Sequence, residues 1–563
     1  MLRREPGGSR RVDATLLAAI GLCVLAVLCS GWLALWLGQD ANWDLRNYHF
    51  YNPYAFLNGR LDFDVAPAHV ATYYNPLLHV PFYWLVRAAS PKLTGFVLGG
   101  AQGLNFALTL LVCWRLVPAG VVRHRLALAG GLSAAGFVGA MGLSEVGTSF
   151  GDNVLSLFVL GSLAILVWRS ETLASGALRS ALGLALVAGV LGGVAPGLKQ
   201  TAAAFAVGLC GACLAVPGTP LRRLAVAFAF GLGVLVSIAA LDGFWLLDMW
   251  RRYANPLFPY FQDVFRSPWA TMGDYRDNRF TPKTVFELAA LPLLFVAPHL
   301  FSWAGIKAAP WGAEVAFFDL KPLLTEALFL AWAGAAMWRR ARRVPAAGAP
   351  PDPAGGIALT FVVLTWVVWA QLFGIYRYMV GLELVMPLST VLLAERVFTA
   401  ARMRLIVPAI AILAAAVTVK PANWGRVAWS DAYFGVPVPE LRDPEHTMVL
   451  MVGPDPTAFV IPEFPKAVRF LRIEGWFTGP SAHPNRMDRL MYRLVQAHTG
   501  PIFVLFRANE QELTASDALA SYGLEMQSPE CRDLKIAIER NLVNPLRFCR
   551  AVPASGGKTA PIR

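Results

Sequence analysis

Long apolar runs constrain this chain more than any other feature of its sequence. The hydrocarbon core of a bilayer is about 30 Å thick, and an α-helix needs about 20 apolar residues to cross it. Many stretches reach that length, beginning with residues 14–37. Because 56% of the 563 residues are hydrophobic, 15% are charged and the mean hydropathy is +0.50, the composition excludes an ordinary soluble enzyme. The pattern predicts a polytopic α-helical membrane protein.

Basic residues predict the orientation of these runs. The net charge of +13 does not form one patch, as nucleic-acid binding would require, but is divided into clusters between apolar runs. Such clusters are typical of cytoplasmic loops under the positive-inside rule. Placing them inside predicts a cytoplasmic N-terminus, an outside C-terminus and eleven spans: residues 14–37, 94–117, 126–145, 152–168, 180–197, 200–216, 224–247, 322–338, 357–373, 376–395 and 405–420.

Two further apolar stretches, residues 77–89 and 284–300, are short and contain aromatic residues or proline. They suit interfacial helices on the outer leaflet better than spans. Counting both as spans would raise the total to thirteen and leave both termini on the same sides. The predicted fold therefore has about 11–13 transmembrane helices.

The remaining sequence divides the chain into two parts. Residues 1–420 form the predicted membrane domain, which includes a first loop (38–93) and a second loop (248–321), both outside. Residues 421–563, here called the tail, form a predicted extracytoplasmic α/β domain. In the tail, "TMVLMVG" and "GPIFVLF" predict strands. A helix ending at Gly500 is predicted from one apolar face, formed by Met487, Leu490, Met491, Leu494 and Val495.

Cysteine usage agrees with this division. Five of the seven cysteines lie in apolar runs, and the Cys210/Cys213 pair among them indicates packing more than metal or redox chemistry. Cys531 and Cys549 stand apart in the polar tail. They are predicted to form a disulfide if the tail lies outside the cytoplasm.

The first loop carries the strongest functional signal. Asp40 and Asp44 follow the first apolar run, and the stretch after them places Tyr48, Tyr51 and Tyr54 in an amphipathic segment that suits the membrane interface. Such a segment would hold the carboxylates at the membrane plane. There they could act on a substrate with its reactive head at the surface and its tail in lipid.

This arrangement resembles the GT-C superfamily of membrane glycosyltransferases that use polyprenyl-phosphate-linked sugars. The resemblance rests on the first loop with "YHFYNPYAFLNGRL", on "PGLKQTAAAF" and "YRYMVGLELVMPL", and on many spans followed by an outside C-terminal domain. It implies that an acid of the first loop is the catalytic base, either Asp44 or Asp40. Asp44 is favoured because it lies closer to the aromatic segment. The chain lacks the adjacent acidic pair of some members, so both candidates stay open.

One carboxylate is enough for this chemistry. A glycosidase needs two carboxylates, whereas a lipid phosphate leaves as a stable anion and needs cations. The base would take the proton of the acceptor hydroxyl as its oxygen attacks the anomeric carbon, with inversion. Arginine or lysine would stabilise charge on the departing phosphate.

Candidate cations lie near the predicted outer ends of spans. Arg377 stands between Tyr376 and Tyr378, and Lys199 interrupts an apolar stretch. Ionisable residues at such depths are functional candidates, although an interfacial anchor is the alternative for each. Tyr378 is counted with the substrate-binding residues. Arg251 and Arg252, in the second loop, are candidates for phosphate or for lipid headgroups.

Other polar residues fit less specific roles. Asp152 opens a span, where an acid also stabilises a helix N-terminus. If a divalent cation is bound, Asp152, Glu145 and Asp44 are its expected ligands, because oxygen donors suit Mg²⁺ or Mn²⁺; the metal is left unknown. The spacing of His49, His69 and His79 matches no zinc motif. His49 and Tyr48 are expected to help position the donor.

The sequence thus predicts an inverting glycosyltransferase of the bacterial inner membrane whose site faces the periplasm. Its partners would be a polyprenyl-phosphate-linked sugar as donor, membrane lipids, and an envelope glycan, lipid or protein as acceptor, with no nucleic acid. The alternative is a transporter or flippase of an amphiphilic substrate, which would be expected to show repeated halves and ionisable groups within its spans. A second alternative is a non-catalytic scaffold whose tail binds an envelope partner.

Overall fold

A computed structural model describes residues 9–117, 122–297, 299–300, 311–343 and 352–554. The membrane domain contains eighteen α-helices within these residues. They are α1 (Ser9–Leu37), α2 (Tyr51–Leu57), α3 (Val80–Ala88), α4 (Pro91–Leu116), α5 (Val122–Phe137), α6 (Ala140–Ser144), α7 (Asp152–Trp168), α8 (Ser170–Ser175), α9 (Leu178–Leu198), α10 (Ala203–Ala212), α11 (Pro220–Leu241), α12 (Gly243–Tyr253), α13 (Gln262–Phe265), α14 (Val285–Val296), α15 (Lys321–Ala341), α16 (Pro353–Leu372), α17 (Val380–Val397) and α18 (Ala401–Thr418).

The protein is a polytopic helical membrane protein. Seven helical segments within the described residues are long and apolar enough to cross a bilayer. They are Ala14–Leu37, Pro91–Leu116, Leu178–Leu198, Pro220–Leu241, Pro353–Leu372, Tyr376–Val397 and Ala401–Thr418. The other four predicted spans correspond to α5, α7, α10 and α15, which are helical but shorter or less apolar. The count of 11–13 crossings stays a prediction.

Small residues let the spanning helices approach closely. A Cβ atom on Gly189 or Gly193 of α9 would overlap the backbone of α11 at Phe230 or Val234. Close approach of this kind stabilises helix pairs in lipid, where burying apolar surface offers little gain. The same rule holds between α4 and α1, where Gly103 lies directly against the backbone of α1.

Both leftover apolar stretches contain helices. Residues 77–89 contain α3, and residues 284–300 contain α14, although residue 298 lies outside the described residues. Arg87 of α3 donates a hydrogen bond of 2.7 Å to the carbonyl of Pro462 and forms an ion pair of 3.3 Å with Glu463. The helix α3 therefore contacts the tail.

The tail contains a mixed sheet and two helices. Its helices are α19 (Arg486–Gln496) and α20 (Glu512–Ser521), and the strands of the chain are β1 (Gln39–Asp40), β2 (Arg426–Val427), β3 (Met448–Met451), β4 (Arg469–Arg472), β5 (Ile502–Arg507), β6 (Leu524–Leu534) and β7 (Leu546–Pro553). Five strands form one sheet in the order β4-β3-β5-β7-β6. Strand β3 runs parallel to β4 and β5, whereas β7 is antiparallel to β5 and β6. Cys531 and Cys549 form a disulfide between β6 and β7.

The predicted strands and the apolar face of α19 are confirmed, but the predicted end of the helix is wrong. Met487, Met491 and Val495 are buried, and α19 begins with a capping box at Asn485. The helix ends at Gln496, before Gly500. Gly500 is required for a different reason, because a Cβ there would overlap the carbonyl oxygen of His446.

The first loop is joined to the tail by backbone and ionic contacts. Strand β1 pairs with β2 in a two-stranded antiparallel sheet. The buried Arg60–Asp64 ion pair, at 2.7 Å, also contacts the tail: Arg60 donates to the carbonyl of Val468, and Asp64 accepts from the amide of Phe470. A buried charge pair with these added hydrogen bonds keeps its polar atoms satisfied. The loop is thereby held in a defined conformation between the helices and the tail.

Candidate active site

An ion pair between Asp44 and Arg377 joins the first loop to the start of α17. Arg377 Nη1 lies 2.9 Å from Asp44 Oδ2. Asp44 immediately precedes a π-helical turn, Leu45–His49, and Arg377 lies on a 3₁₀ turn, Tyr376–Met379. The Asp44 side chain keeps 18% of its surface exposed and that of Arg377 keeps 8%. The carboxylate is therefore held in place but remains accessible.

A second ion pair links two other helix ends. Lys199 Nζ, just after α9, lies 2.8 and 2.9 Å from the two carboxylate oxygens of Asp152. Asp152 is the first residue of α7, where a negative charge also interacts favourably with the helix dipole. Both predicted roles of Asp152, as a site residue and as a helix-terminal charge, are compatible with this geometry.

Aromatic rings connect the two pairs into one centre. The guanidinium carbon of Arg377 lies 3.9 Å from the ring centre of Phe150 and 5.2 Å from that of Trp424. Tyr378 contacts both cations, at 5.5 Å from Arg377 and 5.0 Å from Lys199 Nζ. Cation–π contacts of this kind strengthen when water is excluded. The candidate active site, called the catalytic centre below, consists of Asp44, Arg377, Lys199, Asp152 and Tyr378.

Phe150, Trp424 and Ser149 were not predicted as site residues. Phe150 and Ser149 belong to the loop between α6 and α7, and Trp424 belongs to the tail. Their own sequence neighbourhoods carry no catalytic pattern. The presence of "VGTSFG" between two acids was the only signal available for the first two.

Asp40 is also buried near this centre, but its oxygens are already engaged. Oδ2 accepts hydrogen bonds from the Ser149 amide at 2.8 Å and from the Ser149 hydroxyl at 2.9 Å. Both oxygens accept from the Asn42 side-chain amide at 2.8 Å. These hydrogen bonds fix the Asp40 carboxylate in place and occupy its oxygens, so it has little capacity left to accept a hydrogen bond from a substrate hydroxyl. The geometry favours Asp44 over Asp40 as the predicted base.

Two stacked histidines lie beside the centre. The rings of His49 and His79 are 4.0 Å apart, and His49 Nδ1 lies 2.8 Å from the Ser149 hydroxyl. Burial, with the charge of Lys199 nearby, lowers the pKa of His79 to about 3. Burial also lowers the pKa of His49 well below its usual value, and His79, Lys199 and Arg377 add to this effect. Both rings are therefore neutral at physiological pH.

Tyr48 and Glu145 complete the surroundings. Tyr48 packs edge-on against the rings of both His49 and His79. Burial raises its pKa well above the usual value, and Asp44 raises it further. Glu145 is buried, and neither of its carboxylate oxygens is hydrogen-bonded to another described residue.

The remaining predicted residues have their contacts elsewhere. Arg252 pairs with Asp248, at 2.8 Å, and with Asp62, whereas Arg251 is exposed. These contacts belong to α12 and the first loop and do not involve the catalytic centre. His69 is buried beside Gly475 of the tail.

The acidic residues do not fit a divalent metal site. Within the described ranges, no group of three or more histidine, cysteine, aspartate or glutamate residues is arranged to hold a metal ion. Asp44 and Asp152 are each paired with a cationic side chain, which would repel a metal ion. No step of the chemistry below is assigned to a metal.

The catalytic centre thus combines one accessible carboxylate, two cations and a partly buried aromatic lining. Carboxylate and cation at this distance can accept a proton from a hydroxyl and bind a phosphate, respectively. A fold does not by itself imply a function, so the function is inferred from these side chains. No family model, curated protein or solved structure matches this chain.

Proposed function

We propose that the protein is an inverting glycosyltransferase that moves a sugar from a polyprenyl-phosphate donor to an extracytoplasmic acceptor. The observation that carries this proposal is the Asp44–Arg377 ion pair at 2.9 Å, held beside the Lys199–Asp152 pair at the ends of apolar helices. The proposed base and the proposed phosphate-binding cation are therefore adjacent. The proposed location is the bacterial inner membrane, with the N-terminus cytoplasmic and the tail periplasmic.

Asp44 acts as the general base in this proposal. Its Oδ2 accepts the hydrogen bond from Arg377, and no hydrogen bond to Oδ1 is formed within the described residues. The acceptor hydroxyl gives its proton to Asp44 while its oxygen forms a bond to the anomeric carbon. The bond from that carbon to the phosphate oxygen breaks on the opposite face, and its electron pair leaves with the lipid phosphate. The product sugar has inverted configuration.

Arg377 and Lys199 bind the phosphate. Arg377 donates to Asp44 through Nη1, whereas no hydrogen bond from its Nη2 is formed within the described residues. A phosphate oxygen can therefore take a donor of Arg377 that the ion pair leaves unused. Lys199 Nζ lies 5.0 Å from the ring centre of Tyr378, and its ammonium can be shared between Asp152 and the phosphate. Charge-assisted bonds to the leaving phosphate strengthen as its negative charge grows.

The supporting experiment uses the full chain reconstituted in liposomes with a radiolabelled polyprenyl-phosphate sugar and an envelope extract as acceptor. We expect the unaltered chain to transfer or release the labelled sugar. We expect Asp44→Asn to do neither. Asp62→Asn is the matched control, because Asp62 also pairs with an arginine but lies outside the catalytic centre. The absence of both cleavage and transfer would contradict the proposal. Movement of intact donor across the bilayer without cleavage would favour the transporter or flippase alternative.

A further inference from the structure

A groove between the second loop and the tail carries three arginines and two aromatic rings. This open groove has a volume of about 560 Å³ and is lined by Trp269, Arg486, Arg489, Tyr492 and Arg493. Small-molecule sites typically measure about 300–1,000 Å³. The groove therefore has room for a discrete ligand.

The three arginines form a single row of positive charge. Arg486, Arg489 and Arg493 are spaced three and four residues apart on α19, so they share one face and span about 10 Å along the helix axis. All three are exposed, and none forms an ion pair with a carboxylate among the described residues. Arg507 and Arg547 of the same domain, by contrast, are each paired with acids.

The aromatic walls of the groove are held in place by neighbouring residues. Trp269 packs edge-on against Tyr253, with ring centres 5.7 Å apart. The amide of Arg486 donates a hydrogen bond of 2.9 Å to the carbonyl of Pro268, which fixes the second loop to the start of α19. On the other side, the ring of Tyr492 lies 5.9 Å from that of Tyr522. The two aromatic rings would therefore need little ordering when a ligand binds, which favours affinity.

We propose that this groove binds an acidic saccharide. Arginine recognises carboxylate and phosphate groups through paired, planar hydrogen bonds, and a row of three suits a chain with repeated anionic groups. The rings of Trp269 and Tyr492 offer apolar faces on which a sugar ring can stack through its carbon-bound hydrogens, and an acidic peptide has no such ring. Identification of this saccharide with the acceptor of the transfer rests on the proposed function. The binding itself does not.

The test is a fluorescence titration of the full detergent-solubilised chain with labelled tetragalacturonate and with a phosphorylated glucose tetramer. The unphosphorylated glucose tetramer carries the same label and serves as the neutral probe. We expect the acidic probes to bind more tightly than the neutral probe. The double substitution Arg489→Gln/Arg493→Gln should lower their affinity roughly tenfold or more, since hydrogen bonds to charged groups are lost. Trp269→Ala is expected to lower the affinity for all three probes. Arg540→Gln, which removes an exposed arginine outside the groove, should change none of them.

Defined results overturn the proposal. The first is that neither acidic probe binds. The second is that Arg489→Gln/Arg493→Gln has the affinity for the acidic probes and the thermal melt of the unaltered chain. Equal affinity for labelled tetraglutamate would indicate recognition of charge alone and exclude a saccharide site. A double substitution that impairs only the association of the chain with phosphatidylglycerol vesicles would assign the arginines to lipid headgroups. The titration contains no donor lipid and so does not depend on transfer. If the unaltered chain binds the acidic saccharides but shows no transferase activity, the proposed function is refuted and this inference stands.

Discussion

Lys199 and Arg377 place their charges near the same ring, that of Tyr378, at 5.0 and 5.5 Å from its centre. The two residues lie far apart in the chain, on the connection after α9 and on the turn before α17. Two cations so close together repel each other unless anions balance them, and Asp152 and Asp44 supply that balance. An incoming phosphate could take over part of this balancing role.

We predict that Arg377→Gln lowers kcat/KM for the lipid-linked donor about 10- to 100-fold, because a charge-assisted hydrogen bond contributes about 1.5–3 kcal/mol. Arg252→Gln is the matched control, since it also removes an ion-paired arginine but at α12. Initial rates over a range of donor concentrations, with the yield of inserted protein, provide the measurement. Donor kinetics that stay unchanged would make Arg377 an interfacial anchor.

Exchange of the two first-loop acids should separate their roles. Asp40→Asn replaces an acceptor of Ser149 and Asn42 by an amide, so it should lower the free energy of unfolding by about 1–3 kcal/mol. Asp44→Asn should abolish transfer in protein that is still folded and inserted, although loss of the anion that balances the buried Arg377 also lowers stability. Thermal melts and transfer assays on both variants test this. A stable but inactive Asp40→Asn beside an active Asp44→Asn would reverse the assignment.

The buried histidines predict that acid destabilises the protein. The pKa of His79 is about 3, below the ordinary value of 6.5, so the unfolded chain binds a proton that the folded chain does not between these pH values. Stability due to His79 is complete above pH 6.5 and falls as the pH is lowered towards 3, by up to about 1.4 kcal/mol per pH unit. Melting temperatures between neutral and acidic pH should therefore fall less steeply in His79→Phe. An unchanged slope in His79→Phe would contradict this prediction.

Predicted topology can be tested by thiol labelling. After replacement of the five free cysteines by serine, Gln200→Cys introduces a thiol at an exposed position beside Lys199. A membrane-impermeant maleimide should label it in intact cells. Arg402→Cys, in a predicted cytoplasmic cluster, should react only after the membrane is permeabilised. The opposite pattern would invert the predicted orientation and remove the extracytoplasmic placement of the catalytic centre.

Local sequence was enough to predict most elements. Apolar runs of about 20 residues can satisfy their backbone in lipid only as helices, and all eleven predicted spans coincide with helices. Among the described residues, seven of these helices are long and apolar enough to cross a bilayer. Strands β3 and β5 and the buried face of α19 follow from patterns within a few residues. The error at Gly500 arose because its requirement comes from a distant backbone, that of His446.

By itself, the sequence determined the helical membrane architecture, the α/β tail and the types of residue available for chemistry, because apolar periodicity and residue type are local properties. Only the tertiary structure decided which of them meet. It paired Asp44 with Arg377 across 333 positions of sequence, occupied Asp40 with Ser149, brought Phe150 and Trp424 to the guanidinium, and left Arg251 and Arg252 apart. Such contacts depend on how the helices, the first loop and the tail pack together, and this packing cannot be predicted from the separation of two residues along the chain.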